Sequence, residues 1–226
     1  MSCCNNDIYK ILEQEIVSLK VFPGDVLTEN TLCERFGISR TPIRSVLQRL
    51  QENGFVEIVP HKSTTVTAIN LDIATQLIYE RVAVEQMVLR DFIRVCTPTD
   101  VEHVRFWLNE MKEMAQQSQD PATFDNDAFL SKDYNMHAVW FQTLGKSYLW
   151  DRLISPHPDY SRLMRLDSLG RHNTADVLRD HEEIMHLIDT RDPDGLENVL
   201  TRHLYGGVRR LGGKLFSQEY ERFFNK

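Results

Sequence analysis

The sequence predicts a mainly α-helical protein, in which an N-terminal winged helix-turn-helix precedes an all-α bundle of about six to seven helices. Three observations lead to this fold class. A helix with an arginine-rich start and an apolar stripe is predicted over residues 39–53, two β-rich runs follow within residues 55–67, and the later segments all have helical periodicity.

Two helices are predicted before the arginine-rich helix. Apolar residues at positions 8, 11, 12, 16 and 19 indicate an amphipathic helix over residues 7–19. Residues 27–36 form a second, short helical segment, and Gly37 is suited to end it as a C-cap. Only about three residues then remain before the next helix, which is the spacing of a helix-turn-helix.

The third helix begins at Ser39, which is a good N-cap residue, and continues to about residue 53. Its apolar residues are spaced i, i+3, i+4 and i+7 and form one buried stripe: Ile43, Val46, Leu47 and Leu50. Arg40, Thr41 and Arg44 therefore face outward. A guanidinium can bind guanine bidentately, while a hydroxyl and a helix N-terminus can hold phosphate, so this end is suited to DNA. The alternative is an ordinary surface helix with solvated arginines.

The segment after this helix has the pattern of a wing. Gly54 breaks the helix, and residues 55–59 and 64–67 are predicted as two strands around the turn at residues 60–63. Asn70 can then cap a following helix. The sequence therefore predicts a winged helix-turn-helix DNA-binding domain over residues 1–69 and a second domain over residues 70–226.

The second domain has no strand pattern. Pro and Gly residues divide it into predicted helices at 71–95, 98–118, 124–144, 148–154, 159–169, 174–190 and 193–216, with a helical tail at 218–225. The pairs Gly206-Gly207 and Gly212-Gly213 lower the helix propensity of the last long segment. The expected architecture is a helical bundle.

Composition favours a specific regulator over a protein that coats DNA. The net charge is −7, yet residues 35–62 carry five Lys or Arg against two acidic residues, which is a local basic patch. The four cysteines have neither metal-site nor disulfide spacing. Apolar runs are too short for a membrane span, and the polar N-terminus does not resemble an export signal. A cytoplasmic protein is therefore expected.

Polar residues at inward positions of the bundle suggest a metal site. Asp133 and His137 are spaced i and i+4 and share one helix face, while His181 and His203 border apolar stripes on two later helices. Three imidazoles and one carboxylate are a suitable ligand set for a divalent transition metal ion such as Zn, Ni, Mn, Co or Fe. The spacing alone is weak evidence for a metal site, and it also fits a solvated Asp–His pair and two core histidines.

Residues 7–67 resemble the GntR family of bacterial winged-helix repressors. The pattern includes Pro23-Gly24, Phe36-Gly37, Ser39-Arg40-Thr41-Pro42, Arg44 and Gly54. Residues 71–216 are similar to the metal-containing FCD-type ligand-binding domain of the FadR subfamily, whose pattern is matched by Arg81, Glu85, Asp133, His137, His181 and His203.

The resemblance implies roles for particular residues. Ser39, Arg40, Thr41 and Arg44 would contact the operator, and the wing residues His61 and Lys62 would enter the adjacent minor groove. Asp133, His137, His181 and His203 would bind the metal ion. A small carboxylate effector would occupy the open metal positions, and Arg81, Arg162 and Arg165 are candidates to pair with its other end. A simple i, i+4 ion pair between Arg81 and Glu85 is the alternative for that arginine.

Together these observations predict a transcriptional regulator, most simply a repressor, that binds a palindromic DNA operator as a homodimer. Its operator binding would be modulated by a small organic acid held at the metal site. Two alternatives remain open at this point. One is a metal-dependent hydrolase or lyase of small carboxylic acids, and the other is a regulator for which the metal itself is the signal.

Overall fold

The computed structural model describes residues 5–60, 62–117, 124–169 and 174–224. The chain forms two compact units. The first comprises Met1–Thr75, Pro156–Leu166 and Leu211–Lys226, and the second comprises Gln76–Ser155 and Asp167–Arg210.

The first unit contains three helices and a small antiparallel sheet. The helices are α1 (Asn5–Val17), α2 (Glu29–Phe36) and α3 (Arg40–Glu52), and the strands are β1 (Val26–Leu27), β2 (Val56–Val59) and β3 (Ser63–Val66). The strand order is β1-β3-β2, and Val56 pairs with Val66 at one end of the β2–β3 hairpin. β1 was not predicted because two residues are too few to show an alternating pattern. The winged helix-turn-helix is confirmed.

Burial of one face fixes the orientation of α3. The predicted stripe of Ile43, Val46, Leu47 and Leu50 is at most 2 % exposed and packs in one core cluster with residues of α1, α2 and β2. Gly37 has φ +65°, the left-handed conformation of a helix C-cap, and its N–H bonds the carbonyl of Cys33. The turn that follows brings the start of α3 to the surface.

Two later segments pack in the first unit. The Asn70 N–H donates to Oδ1 of Asp159 at 2.7 Å, and the Ile69 N–H donates to the Phe223 carbonyl at 2.7 Å. The first unit therefore includes more of the chain than residues 1–69. The assignment of separate functions to residues 1–69 and 70–226 stays a prediction.

The remaining helices are α4 (Leu71–Val95), α5 (Pro98–Gln117), α6 (Asn126–Thr143), α7 (Ser147–Leu153), α8 (Tyr160–Leu169), α9 (Thr174–Thr190), α10 (Leu196–Leu204) and α11 (Gly206–Leu211). Two short 3-10 helices follow, at Gly212–Phe216 and Glu221–Phe223. The mainly α-helical class is confirmed. Ser118, Asp120-Pro121 and Asn225, which the predicted helix bounds involve, lie outside the described residues.

The prediction of one helix over residues 193–216 was wrong. The α-helix ends at Leu204, resumes at Gly206, and gives way at Gly212 to a 3-10 turn. The reason lies in the glycines, which weaken helix propensity, and Gly212 has φ +44°, outside the right-handed helical region. The predicted tail at 218–225 is likewise only a short 3-10 turn in its described part.

The main core of the second unit lies between α4, α5, α6, α9 and α10. It is built on fully buried large side chains, of which Phe92, Trp140 and Phe141 have no exposed surface. These side chains enclose the inner face of α6, where the predicted metal ligands are found. Among the described residues, no helix is both long and apolar enough to cross a membrane.

Candidate metal centre and nucleic-acid interface

The four predicted metal ligands come together in the second unit. α6 contributes Asp133 and His137, α9 contributes His181, and α10 contributes His203. One ligand atom from each residue lies within 4.8 Å of every other, and three of the four residues are buried. The i, i+4 spacing places the two α6 residues on one face, and the packing of α9 and α10 against each other supplies the two remaining histidines.

The imidazole Nε2 atoms of His181 and His203 face Asp133, and that of His137 lies beside His181. Its Oδ1 lies 3.2 Å from Nε2 of His181 and 3.9 Å from Nε2 of His203, and the Nε2 atoms of His137 and His181 are 3.1 Å apart. Two metal–ligand bonds of about 2.1 Å separate ligand atoms by no more than about 4.2 Å. The separations of 3.1 and 3.2 Å are already in this range, and small side-chain movements would let the whole set ligate one ion.

Glu85 of α4 orients the first of these histidines. Its Oε2 lies 2.5 Å from Nδ1 of His137, and both side chains are fully buried. A carboxylate at this nitrogen requires the Nδ1–H tautomer, which leaves a lone pair on Nε2, where the other ligand atoms lie. Arg81 in turn donates from Nε to Oε1 of Glu85 at 2.6 Å.

The charges of the cluster favour a cation. Burial would raise the pKa of Asp133, but its contacts with His181, His137 and His203 outweigh burial and lower the pKa well below the usual range. Burial also opposes ionisation of Glu85, yet Arg81 and His137 lower its pKa. Burial is the main cause that lowers the pKa of His203, and the nearby His181 lowers it further. The residues thus combine ionised carboxylates with a neutral imidazole, the protonation states that metal ligation needs.

The directions of the imidazole nitrogens support the fit of a metal ion. In the described part of the chain, Nδ1 of His181 and Nδ1 of His203 are buried without a hydrogen-bond partner, while both Nε2 atoms face Asp133. The lone pair of His137 Nε2 also points at a second imidazole nitrogen. With His137 in its Nδ1–H tautomer, its Nε2 lone pair and the Asp133 carboxylate are both acceptors beside His181 Nε2, and a divalent cation would satisfy both.

The walls of the cluster are aromatic. The ring centroid of His137 lies 4.5 Å from that of Trp140 and 6.0 Å from that of Trp150. The Arg81 guanidinium carbon stands 5.7 Å from the Trp150 ring centroid and 5.8 Å from that of Tyr134. This surrounding strengthens the electrostatic interactions inside the site, because aromatic side chains exclude water.

The three arginines predicted to bind an effector lie in different surroundings. Arg81 is 4 % exposed and pairs with Glu85, as the alternative interpretation stated. Arg162 belongs to the first unit, is fully buried, and donates to the Thr67 carbonyl at 2.5 Å, to the Ala68 carbonyl at 3.3 Å and to the Pro158 carbonyl. Burial lowers its pKa to about 10. These contacts favour a structural role for Arg162. Arg165 is half-buried in the same unit.

The predicted DNA-reading residues are exposed at the start of α3. Ser39 occupies the N-cap position with extended backbone but makes no side-chain cap bond, so its hydroxyl remains available. Arg40 donates to Asn30 at 3.0 Å, and Arg44 donates from Nε to Glu29 at 2.7 Å with 62 % of its side chain exposed. Thr41 is exposed as well. Surface ion pairs of this kind are weak enough to be exchanged for contacts to DNA.

The wing is described only in part. Lys62 is exposed in the turn between β2 and β3, and its N–H donates to the Val59 carbonyl at 3.0 Å. His61, the other residue predicted to enter the minor groove, lies outside the described residues. The role of the wing stays a prediction.

Comparison with known proteins decides the family. The model for bacterial regulatory proteins of the gntR family matches residues 5–66, and the model for the FCD domain matches residues 76–206. The chain belongs to the GntR family, in its FadR-like subfamily with an FCD domain. It is a DNA-binding transcriptional regulator and not an enzyme, which removes the hydrolase or lyase alternative.

The relatives whose names state a role have low sequence identity to this chain. The chain is 28 % identical over 202 residues to the HTH-type transcriptional repressor RspR of Escherichia coli (strain K12), covering 88 % of this chain and 85 % of that protein. It is 26 % identical over 188 residues to the gluconate operon transcriptional repressor of Bacillus subtilis (strain 168), covering 80 % and 74 %. A putative GntR transcriptional regulator from Rhodococcus sp. RHA1 has the same fold, with a TM-score of 0.67, 20 % identity and coverage of 92 % and 97 %.

Sequence reasoning missed one contact of the site. Glu85 was noted only as a family position and as an i+4 partner of Arg81, whereas the structure places it on His137, 52 residues away. The sequence offered one sign of this contact: Glu85 lies among apolar positions of α4, and a carboxylate at such a position needs a buried partner. His186, which the five-residue offset from His181 turns away from the cluster, is exposed.

Proposed function

We propose that this protein is a transcriptional repressor whose operator binding responds to a small carboxylate bound at a metal ion in the C-terminal region. The observation that carries the proposal is the buried convergence of Asp133 with three Nε2 atoms. A divalent metal ion held there would supply Lewis-acid coordination of an organic acid. The residues of this chain supply the ligand set, the orientation of His137 through Glu85, and a dry aromatic wall.

Arg81 is the arginine that best fits a role in effector binding. It belongs to the same unit as the cluster, and its positive charge acts on His203. An effector whose carboxylate reaches Arg81 would compete with Glu85 for the guanidinium. Exchange of that partner would alter the contact between Glu85 and His137, so the state of the ligand site and the position of α4 would be coupled.

DNA recognition is proposed for the exposed start of α3. Ser39, Arg40, Thr41 and Arg44 would contact the operator in the major groove, and the wing residues Lys62 and His61 would contact the minor groove. Support for the α3 part comes from the exposure of these side chains and from a helix orientation fixed by a well-packed core. We assign operator binding to residues 1–69 and effector binding to residues 70–226.

A homodimer on a palindromic operator is the expected functional form, because one recognition helix reads only a half-site. The second unit also exposes large apolar side chains that a partner would cover. Tyr79 and Met87 of α4 are 70 % and 67 % exposed, and Tyr148 of α7 is 73 % exposed. Light scattering of the wild type and of Met87→Glu would test this assignment. A dimer that the charge converts to a monomer supports it, and a monomeric wild type contradicts it.

Elemental analysis by mass spectrometry is the first test of the proposed function. The purified wild type and His137→Ala are compared after gentle dialysis and after dialysis against a chelator. One equivalent of transition metal per chain in the wild type, lost in the variant, supports the site. The loaded protein is then titrated with small carboxylic acids while its operator binding is measured. Release of DNA by an acid supports the effector, whereas release by metal removal alone would make the metal itself the signal.

A further inference from the structure

A second polar feature lies in the same unit, apart from the proposed metal ligands. A surface cleft of about 190 Å³ opens between α9 and the α10–α11 segment. Gly206 and six charged side chains line it: Asp176, Arg179, Asp180, Arg202, Arg209 and Arg210. Arginines therefore outnumber aspartates in the lining by four to two, so the cleft presents mostly guanidinium groups.

Carboxylates behind the cleft hold two of these guanidiniums in place. Arg210 donates from Nε and Nη2 to the two carboxylate oxygens of Asp167, at 3.0 and 2.7 Å. Arg202 donates from Nε to Asp180 at 2.8 Å and from Nη2 to Glu183. Neither Asp167 nor Glu183 lines the cleft. These hydrogen bonds use Nε and Nη2 of each guanidinium, so each arginine is pre-oriented while its Nη1 takes no part in them.

The other two arginines are less constrained. Arg179 lies 2.9 Å from Asp176 and 3.6 Å from Asp180, and 57 % of its side chain is exposed. Arg209 is exposed, and its guanidinium makes no ion pair within the described ranges. A positive charge that pairs with no carboxylate in the described part of the chain, at the edge of an arginine-lined cleft, attracts anions.

Gly206 lets the guanidinium of Arg210 lie against the helix backbone. A Cβ atom at Gly206 would be only 2.7 Å from Nη1 of Arg210, which is too close, and 3.1 Å from Nη2, so the guanidinium would have to shift. The missing side chain therefore leaves room for the Arg210 guanidinium at the start of α11. It also keeps Arg210 in the position where Asp167 binds it.

We infer that this cleft is a binding site for a small dianion of the phosphate-monoester or dicarboxylate class. Both kinds of anion match the forked donors of arginine. The cleft is smaller than the roughly 300–1,000 Å³ of pockets for drug-sized ligands, which restricts it to compact molecules. Asp180 and Arg202 directly precede the ligand residues His181 and His203, so the helices that line the cleft also carry the proposed metal ligands. The inference does not depend on a metal being bound there.

Calorimetric titration of the full chain tests the inference. The probes are sulfate, glycerol 3-phosphate, succinate and, as a monoanion control, acetate, all at one ionic strength. The variant Arg209→Ala removes the unpaired charge. Arg94→Ala is the matched control, because Arg94 is an exposed arginine of the same unit on α4 and does not line the cleft. Gly206→Ala keeps every charge but displaces the Arg210 guanidinium.

The expected result is saturable binding of at least one dianion and none of acetate. Loss of a charge-assisted hydrogen bond should weaken that binding about tenfold or more in Arg209→Ala. Gly206→Ala should weaken it as well, while Arg94→Ala should stay within about twofold of the wild type. Tighter binding of glycerol 3-phosphate or of succinate identifies the class. No saturable binding, equal losses in Arg209→Ala and Arg94→Ala, or wild-type affinity in both cleft variants would overturn the inference.

Discussion

Replacement of Glu85 by Gln tests the connection between Arg81, Glu85 and His137. Glutamine has nearly the same shape, and its carbonyl can still accept a hydrogen bond from Nδ1 of His137. It cannot neutralise Arg81, whose side chain is only 5 % exposed. The charge of Arg81 would then act unopposed near the ligand atoms and disfavour a divalent cation. Because loss of a partner behind a metal ligand typically costs about 10- to 100-fold, metal affinity should fall by that factor, about 1.4–2.7 kcal/mol.

Glu85→Ala should have a larger effect. This change removes the hydrogen-bond acceptor of His137 and leaves the buried Arg81 without the carboxylate that it contacts. Breaking a buried ion pair on one side typically costs about 3–5 kcal/mol of stability. Replacing both partners, as in Arg81→Met with Glu85→Leu, should recover much of the stability but not the metal affinity, because His137 still lacks its partner.

Three measurements on these variants separate orientation from general damage. Metal affinity is measured by competition with a chelator, stability by denaturant unfolding of the metal-free chain, and the His137 tautomer by nitrogen NMR of the imidazole. The Nδ1–H tautomer should dominate in the wild type and be lost in Glu85→Ala. The proposed role of Glu85 is refuted if Glu85→Gln and Glu85→Ala bind the metal ion as tightly as the wild type and the His137 tautomer is unchanged.

Three further changes test the other parts of the molecule. Arg44→Ala should remove about 1–3 kcal/mol of base discrimination at each half-site, so the specific operator footprint should disappear while the circular dichroism spectrum is unchanged. His181→Ala should lose the metal ion and the response to carboxylates, yet still bind the operator in a mobility-shift assay. Arg162→Met should lower the free energy of unfolding by more than about 3 kcal/mol, because the Thr67 and Ala68 carbonyls lose their buried donor.

Each of these variants has a control within the chain. Arg90→Ala on α4 is the control for Arg44→Ala, because it changes an exposed arginine of the second unit, and it should leave the footprint intact. A normal footprint in Arg44→Ala would exclude Arg44 from the groove. His186→Ala is the control for His181→Ala, because it changes an exposed histidine on the same helix, and it should retain the metal ion. If His181→Ala has the same metal content as the wild type, His181 is not a ligand. Arg94→Met, a change of an exposed arginine, is the control for Arg162→Met and should leave the unfolding transition unchanged. If Arg162→Met is as stable as the wild type, the contacts of Arg162 with the backbone carbonyls are dispensable.

The helices with strong apolar periodicity were predictable because that pattern is local. The bounds of α4 and α9 match the predicted 71–95 and 174–190, and the buried stripe of α3 contains the four residues that its spacing selects. The last long helix was misjudged because its glycines permit several conformations, and only packing selects among them. β1 escaped prediction because its two residues form a strand only through their pairing with β3.

The same division runs through the functional residues. Spacing alone placed Asp133 and His137 on one helix face, and the arrangement of residues 39–44 indicated an exposed DNA-reading end. Tertiary packing decided three contacts between distant residues: His137 with Glu85 over 52 residues, Arg162 with Thr67 over 95 residues, and Arg210 with Asp167 over 43 residues. A sequence specifies local helix faces directly, because side chains three or four residues apart are neighbours in any helix. Which faces meet depends on how the whole core fills its volume, and no short-range pattern records that result.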